Sequence, residues 1–242
     1  MHSSAKRNFE RFIKTYRENF KKDQPLEVLD IGSQSLNKNW VTIKSLLKDS
    51  NLQFNYTGAD LEKGLNVDII LRDIYSFNEI VSGKYDLVTA TSVFEHIEFF
   101  WLTYLEILRV LKPQGILYLN TPSNGDFHRW PVDCWRFYPD SGNALVKWGN
   151  KNGYNSVMLE TYTSSQYLEC GWSDQVSIIL KSKLHINDFK KKIIHKYKNF
   201  SNGMDESKEI YQFSNKTEDQ KNFGYRFYYR IRKKLQKLKI ID

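Results

Sequence analysis

The chain has 242 residues, 40% of them hydrophobic, and a formal net charge of +8, which is enough apolar material for one large domain with its own core. No run of roughly 18 apolar residues occurs, so a membrane-spanning helix is excluded, and the opening "MHSSAKRNFERF" lacks the apolar stretch of a secretory leader. A cytoplasmic protein is expected.

Phe9, Phe12, Ile13, Tyr16 and Phe20 recur at helical spacing. They predict an amphipathic helix over 5–21, within an N-terminal segment 1–22. "LEVLDIG" is a short apolar run that meets a turn at Asp30 and Gly32. "NWVTIKSLLK" reads as a helix with Trp40, Ile43 and Leu47 on one face. "FNYTGAD" is a second strand ending in Asp60, "VDIIL" a third ending near Asp73, and "YDLVTATS" a fourth ending in Ser92. A helix over Trp101 to Leu111 is stopped by the proline and glycine of "KPQG". "ILYLNTPS" is a fifth strand. "YNSVMLETY" and "QVSIILKSK" read as a late antiparallel pair joined through "GWSD".

Strands that alternate with helices predict a mostly parallel sheet with helices on both faces. Ligands of such sheets sit beyond the carboxyl ends of the strands. Asp30, Gly32, Asp60, Asp73 and Ser92 all fall there. One domain is expected over 1–183 and a basic helical extension over 184–242. The extension carries 15 Lys+Arg against 7 Asp+Glu, whereas residues 1–183 carry 21 of each. Its segments "FKKKIIHKYKNF" and "RFYYRIRKKLQKLKII" read as helical, with "SNGMDESKE" and "SNKTEDQKN" as connectors. Such a tail can meet a membrane surface, a second subunit or nucleic acid, or simply be solvated. The two cysteines, Cys134 and Cys170, have no zinc-type spacing. They read as reduced thiols, and no metal site is expected.

A carboxylate at the end of a second strand can hold a ribose diol. Gly32 lets a backbone approach a ligand closely. The turn "GSQSLN" has one glycine only, which argues against a dinucleotide's pyrophosphate and so against an NAD-dependent enzyme.

"VLDIGSQS", "GADLEKGLNVDI", "SVFEHI" and "ILRVLKPQGILYLNTPS" together resemble the class I, Rossmann-like S-adenosylmethionine-dependent methyltransferases. Within these, residues 124–139 resemble a small bacterial type associated with surface-polysaccharide biosynthesis. The resemblance spans about 26–183. It implies a seven-stranded sheet with a reversed last strand, S-adenosyl-L-methionine as cofactor and S-adenosyl-L-homocysteine as product. Asp30, Gly32, Ser33 and Gln34 would then face the methionine end. Asp60 would hold the ribose, Leu61 would pack on the adenine, and Asp73 would bond its amino group with Ile74 beside it. Ser92 would lie under the sulfonium. Gln34 and Leu36 stand where the family has further glycines. Leu36 is expected to begin the following helix. Gln34 would either bond the cofactor or narrow its site.

The segment "NGDFHRWPVDCWRFYP", Asn124 to Pro139, fits neither helical nor strand periodicity and is too aromatic for an ordinary loop. It follows the fifth strand, at the mouth of the cleft, and reads as a substrate lid. His128 and Asp133 would act as base and orienter, with His96 as the other candidate base. Arg129 and Arg136 would clamp an anionic acceptor. Asn124, Trp130, Trp135, Phe137 and Tyr138 would surround it. The plainer reading is that these side chains satisfy one another and plug the core. The expected activity is O-methyl transfer to a small polar, anionic acceptor for a capsule or surface glycan. That acceptor would be a nucleotide-linked sugar or a phosphate-type group. An RNA methyltransferase gripping phosphates with the tail, or a non-catalytic module, are the competing readings.

Overall fold

The structure, a computed structural model, describes residues 1–20, 24–166, 171–217, 231–232, 234–236 and 238. An N-terminal helix α1 (Ser3–Phe20) leads into strand β1 (Leu26–Ile31), helix α2 (Ile43–Lys48), β2 (Phe54–Asp60) and β3 (Ile69–Ile70). Then come β4 (Tyr85–Thr91), α3 (Phe100–Val110), β5 (Leu111–Pro122), α4 (Pro139–Lys151), β6 (Val157–Ser164) and β7 (Asp174–Leu180). A short helix α5 (Ile193–Lys196) and strands β8 (Phe200–Asp205) and β9 (Ile210–Tyr211) follow.

The strands form one sheet in the order β3-β2-β1-β4-β5-β7-β6-β8-β9. From β3 to β5 the neighbours run parallel, and β7 runs antiparallel to both β5 and β6. The first seven strands thus take the expected arrangement. The sheet is nine-stranded rather than seven-stranded, because β8 and β9 add antiparallel beyond β6.

Alternation along the strands divides the core in two. Val28, Leu87, Ile116, Tyr118 and Ile178 face one layer, which contains α1, α2 and α5. Their neighbours Leu29, Val88, Leu117, Leu119 and Ile179 face the other, with α3 and α4. In α1 the predicted apolar stripe is buried while Lys14 and Glu18 are exposed. Each of its aromatic side chains contributes about 1.5–3 kcal/mol by leaving water. Among the described residues no helix is long and apolar enough to cross a membrane.

Four expectations change. Helix α2 starts at Ile43, where Thr42 and Ser45 exchange capping bonds of 3.2 and 3.0 Å. Trp40 therefore lies outside it and is 50% exposed. Leu36 begins no helix; residues 33–42 form a long irregular loop. "VDIIL" contributes only two strand residues. Helix α4 was not anticipated; Pro139 opens it, and Gly142 and Gly149 let it lie flat on Ser177, Met158 and Leu108.

The C-terminal segment is the largest correction. Of "FKKKIIHKYKNF" only Ile193–Lys196 is helical, and the supposed connector "SNGMDESKE" supplies most of β8. Phe189, Ile193, Ile194 and Phe200 join the first core layer. Of "RFYYRIRKKLQKLKII", residues 231–232 and 234–236 are helical as expected, while 226–230, 233, 237 and 239–241 lie outside the described residues, as do residues 218–222 of "SNKTEDQKN". Glu160 of β6 fastens the segment. It is fully buried and accepts from Tyr16 Oη (2.6 Å), Ile193 N–H (2.8 Å) and Ile194 N–H (2.9 Å). Glu160→Ala strands three buried donors and is expected to lower unfolding free energy by about 3–5 kcal/mol, read from urea denaturation. An unchanged midpoint would remove Glu160 from this role.

Candidate active site

A cleft of about 810 Å³ opens at the carboxyl ends of β1, β2 and β4. That is the size of a small-molecule site. Gly32 ends β1 with φ +71°, and a Cβ there would collide with Val93. Both features require glycine, and they leave this wall of the cleft to backbone.

Asp60 closes β2 with both oxygens engaged. Oδ2 accepts Gln34 N–H (2.9 Å) and Oδ1 accepts Leu61 N–H (2.8 Å). Each oxygen keeps a second lone pair. Ser33 Oγ donates to the Asn66 carbonyl (3.1 Å), and Ser35 N–H donates to the Leu65 carbonyl (3.1 Å). The loops after β1 and β2 are therefore zipped together. Gln34 turns its amide onto the Lys63 carbonyl (3.2 Å), against Gly64, so its own bond lies along this loop. Leu36 and Trp40, both exposed, line the cleft, and Trp40 is a site residue that its helical spacing concealed.

Asp30 is buried under the cleft floor, where Oδ1 accepts Thr89 Oγ1–H (2.7 Å) and Oδ2 accepts Tyr56 Oη–H (2.8 Å). Burial pushes its carboxyl up to about 6, against the pull of those two bonds and with Asp60 adding repulsion. Ser92 lines the cleft with φ +56°. Ile74 and Leu61 line it as well. Asp73 does not; it is exposed, and its Oδ1 accepts Tyr75 N–H (2.8 Å).

The lid divides into two halves. Residues His128 to Val132 line the cleft, with a cis Trp130–Pro131 bond. Residues 133–138 anchor it. Arg136, expected to clamp an acceptor, does not line the cleft; its guanidinium grips Asp133 in two bonds of 2.6 and 2.8 Å and also donates to the Trp135 and Asp126 carbonyls. Hydrogen bonds from Arg136 hold the Asp133 carboxyl down at about 2. Trp135 donates to the Ile97 carbonyl (3.1 Å), and Asn124 bridges Gly171 and Ser173. Neither lines the cleft, nor does Tyr138 beside α4. Cys134 is a free, exposed thiol, and Cys170 lies outside the described residues.

The predicted pairing of His128 with Asp133 is present, with ring Nδ1 3.5 Å from Asp133 Oδ2, and closer bonds accompany it. Asp133 accepts the backbone N–H of His128 (2.8 Å), while ring Nδ1 bonds the Asp126 carbonyl (3.0 Å). His96 Nδ1 likewise bonds the Val132 carbonyl. A carbonyl only accepts, so Nδ1 carries the hydrogen in both rings and Nε2 carries the lone pair. The rings stand edge to face with centroids 5.0 Å apart. Burial lowers the pKa of His96. Beneath them lies Glu95, which sequence reasoning passed over although it adjoins His96. Its side chain is 1% exposed, Oε2 has no hydrogen-bond partner among the described residues, and burial drives its carboxyl up to about 8.

A family model described as a methyltransferase domain matches residues 3–160. The chain belongs to this methyltransferase family. Among solved structures, the methyltransferase is similar to the citrinin polyketide synthase CMeT domain, at 17% identity and TM-score 0.52. The match covers 73% of this chain and 52% of that one, so the methyltransferase spans about half that structure's length. It is also similar to the Burkholderia thailandensis 1,6-didemethyltoxoflavin-N1-methyltransferase with bound 1,6-didemethyltoxoflavin and S-adenosylhomocysteine. There identity is 12%, TM-score 0.53, and coverage 75% of this chain and 80% of that one. No curated protein matches the sequence.

The cleft fits the S-adenosylmethionine that the sequence resemblance implies. Asp60 has lone pairs to spare for a ribose diol, Gly32 leaves a bare wall, and Asp30 offers a carboxylate to a cationic group.

Proposed function

We propose that the methyltransferase acts on an oxygen of a small polar acceptor, and that the two imidazoles at the cleft activate it. The observation that carries this is the pair His96 and His128, each with Nδ1 spent on a backbone carbonyl and Nε2 left with a lone pair. The bound cofactor supplies a methyl group already activated on a sulfonium. What this chain must add is alignment and removal of the acceptor's proton. Alignment is worth roughly 7–11 kcal/mol and proton removal about 10²–10⁴ in rate. A hydroxyl needs that proton removed, whereas a phosphate oxygen does not, so the imidazoles favour a hydroxyl.

Arg129 is the single Lys or Arg among the described residues that line the cleft, alongside Asp30, Asp60 and Glu98. One guanidinium supports a small acceptor with a limited negative charge, such as a nucleotide-linked sugar. A nucleic-acid channel would be basic along its length. A role in cytoplasmic surface-glycan assembly is the setting in which such acceptors occur, and it rests on the sequence resemblance of residues 124–139.

The experiment is methyl transfer from labelled cofactor into a panel of nucleotide-linked sugars, with His96→Gln and His128→Ala in parallel. Each variant is expected to lower kcat at least about 100-fold while leaving S-adenosylhomocysteine affinity unchanged. Full turnover in both variants would refute the assignment.

A further inference from the structure

One nitrogen each from His96 and His128 and one carboxylate oxygen of Glu95 lie within 4.8 Å of one another. His96 Nε2 stands 3.7 Å from Glu95 Oε1. We propose that Glu95, His96 and His128 form a binding site for a divalent first-row transition-metal ion at the acceptor end of the cleft.

Three observations converge. Both imidazoles donate Nδ1–H to a main-chain carbonyl, Val132 for His96 and Asp126 for His128. That is the outer contact which fixes a ligating histidine's tautomer and points its lone pair at an ion. Glu95 is almost wholly buried, and Oε2 has no partner among the described residues. A carboxylate rarely stays in such a place without one, and an ion is a partner. Two imidazoles and one carboxylate on one side of an ion leave its other positions open, the donor set of first-row divalent metals rather than of magnesium or calcium.

The spacing is looser than a loaded site. Metal bonds of about 2.0–2.2 Å bring ligand atoms roughly 3–3.5 Å apart, so the ion would draw the groups together by about 1 Å. The lid allows this, since His128 sits on the segment 128–132 and is 39% exposed. The Arg136–Asp133 pair holds that segment's base, and Asp133 accepts the His128 backbone N–H and lies 3.5 Å from its ring Nδ1.

The site deepens the proposed activity and, in its role though not in its occupancy, rests on that reading: with an ion bound the two Nε2 lone pairs are ligands, so the imidazoles activate the acceptor through the ion and do not themselves take its proton. An acceptor hydroxyl taking an open position on the ion would become more acidic and release its proton to solvent. The oxygen would then form its bond to the methyl carbon as the carbon–sulfur bond breaks, leaving S-adenosylhomocysteine.

The test titrates Co²⁺ into the chelator-treated 242-residue chain and follows visible absorption. One equivalent with imidazole-type bands is expected, weakened at least 100-fold by His128→Ala and by His96→Gln. Glu95→Gln, which keeps the buried shape, should weaken it at least tenfold. No binding by the folded wild type, or binding indifferent to all three substitutions, overturns the site. Calorimetry with S-adenosylhomocysteine on the same samples separates the two readings. Cofactor binding without Co²⁺ binding removes the metal site alone, and loss of both in a folded chain removes the methyl-transfer reading of the cleft.

Discussion

Asp60→Ala is expected to weaken S-adenosylhomocysteine binding at least about 100-fold, read by calorimetry. Two losses combine in it. The carboxylate offers charge-assisted acceptance to a ribose diol, worth about 1.5–3 kcal/mol per bond. It also holds the loop after β1, because Gln34 N–H and Leu61 N–H both donate to it. Removing it frees residues that the cofactor would then have to order. Asp60→Asn separates the contributions, since an amide oxygen still accepts one of those N–H groups. Retained affinity in the alanine variant would show that the ribose is held elsewhere.

Asp30 is expected to give a cofactor affinity that depends on pH. Its carboxyl is at about 6 in the folded chain against an ordinary 3.8. Because the folded value is the higher, ionisation costs the fold stability as pH rises from about 4 to about 6. Above that the full cost of about 3 kcal/mol stands. Asp30→Asn is therefore expected to raise the melting temperature at pH 7 to 8 and to leave it unchanged near pH 3. The ionised carboxylate is also what a methionine ammonium would seek. Affinity for S-adenosylhomocysteine should fall about tenfold for each pH unit below 6. In Asp30→Asn the profile should be flat and weaker at pH 7. A wild-type affinity that does not change between pH 5 and 7 would sever Asp30 from the cofactor.

Much of the site was legible because its signals are local. Asp30, Gly32, Asp60 and Ser92 sit where an apolar strand gives way to a turn, and the sheet brings such places together. The reading failed where a side chain's role is decided by the partner it finds in the fold, near or far along the chain, rather than by its own place in the pattern. Arg136 looks like a substrate clamp until Asp133, three residues away, is seen to occupy both arms of its fork. Trp40 fits a helical face, yet the capping pair at Thr42 and Ser45 puts it outside the helix. Glu95 and His128 are far apart in the chain, and only the fold sets them side by side. Helix α4 was diluted by the glycines that let it pack closely, and β8 is polar enough to pass for a loop. Its strand character comes from pairing with β6 rather than from its own composition.

Strands β8 and β9 have a bearing on solution behaviour. In a seven-stranded sheet β6 would be the rim, with a row of unpaired main-chain donors and acceptors open to any neighbouring molecule. Here the chain supplies its own neighbour along β6 and ends the sheet in a two-residue strand. Edge-to-edge growth between molecules is thereby blocked on that side. Cutting the chain at residue 183 would not yield a minimal catalytic unit. It would uncover β6 and the buried carboxylate of Glu160, and the fragment would be prone to self-association.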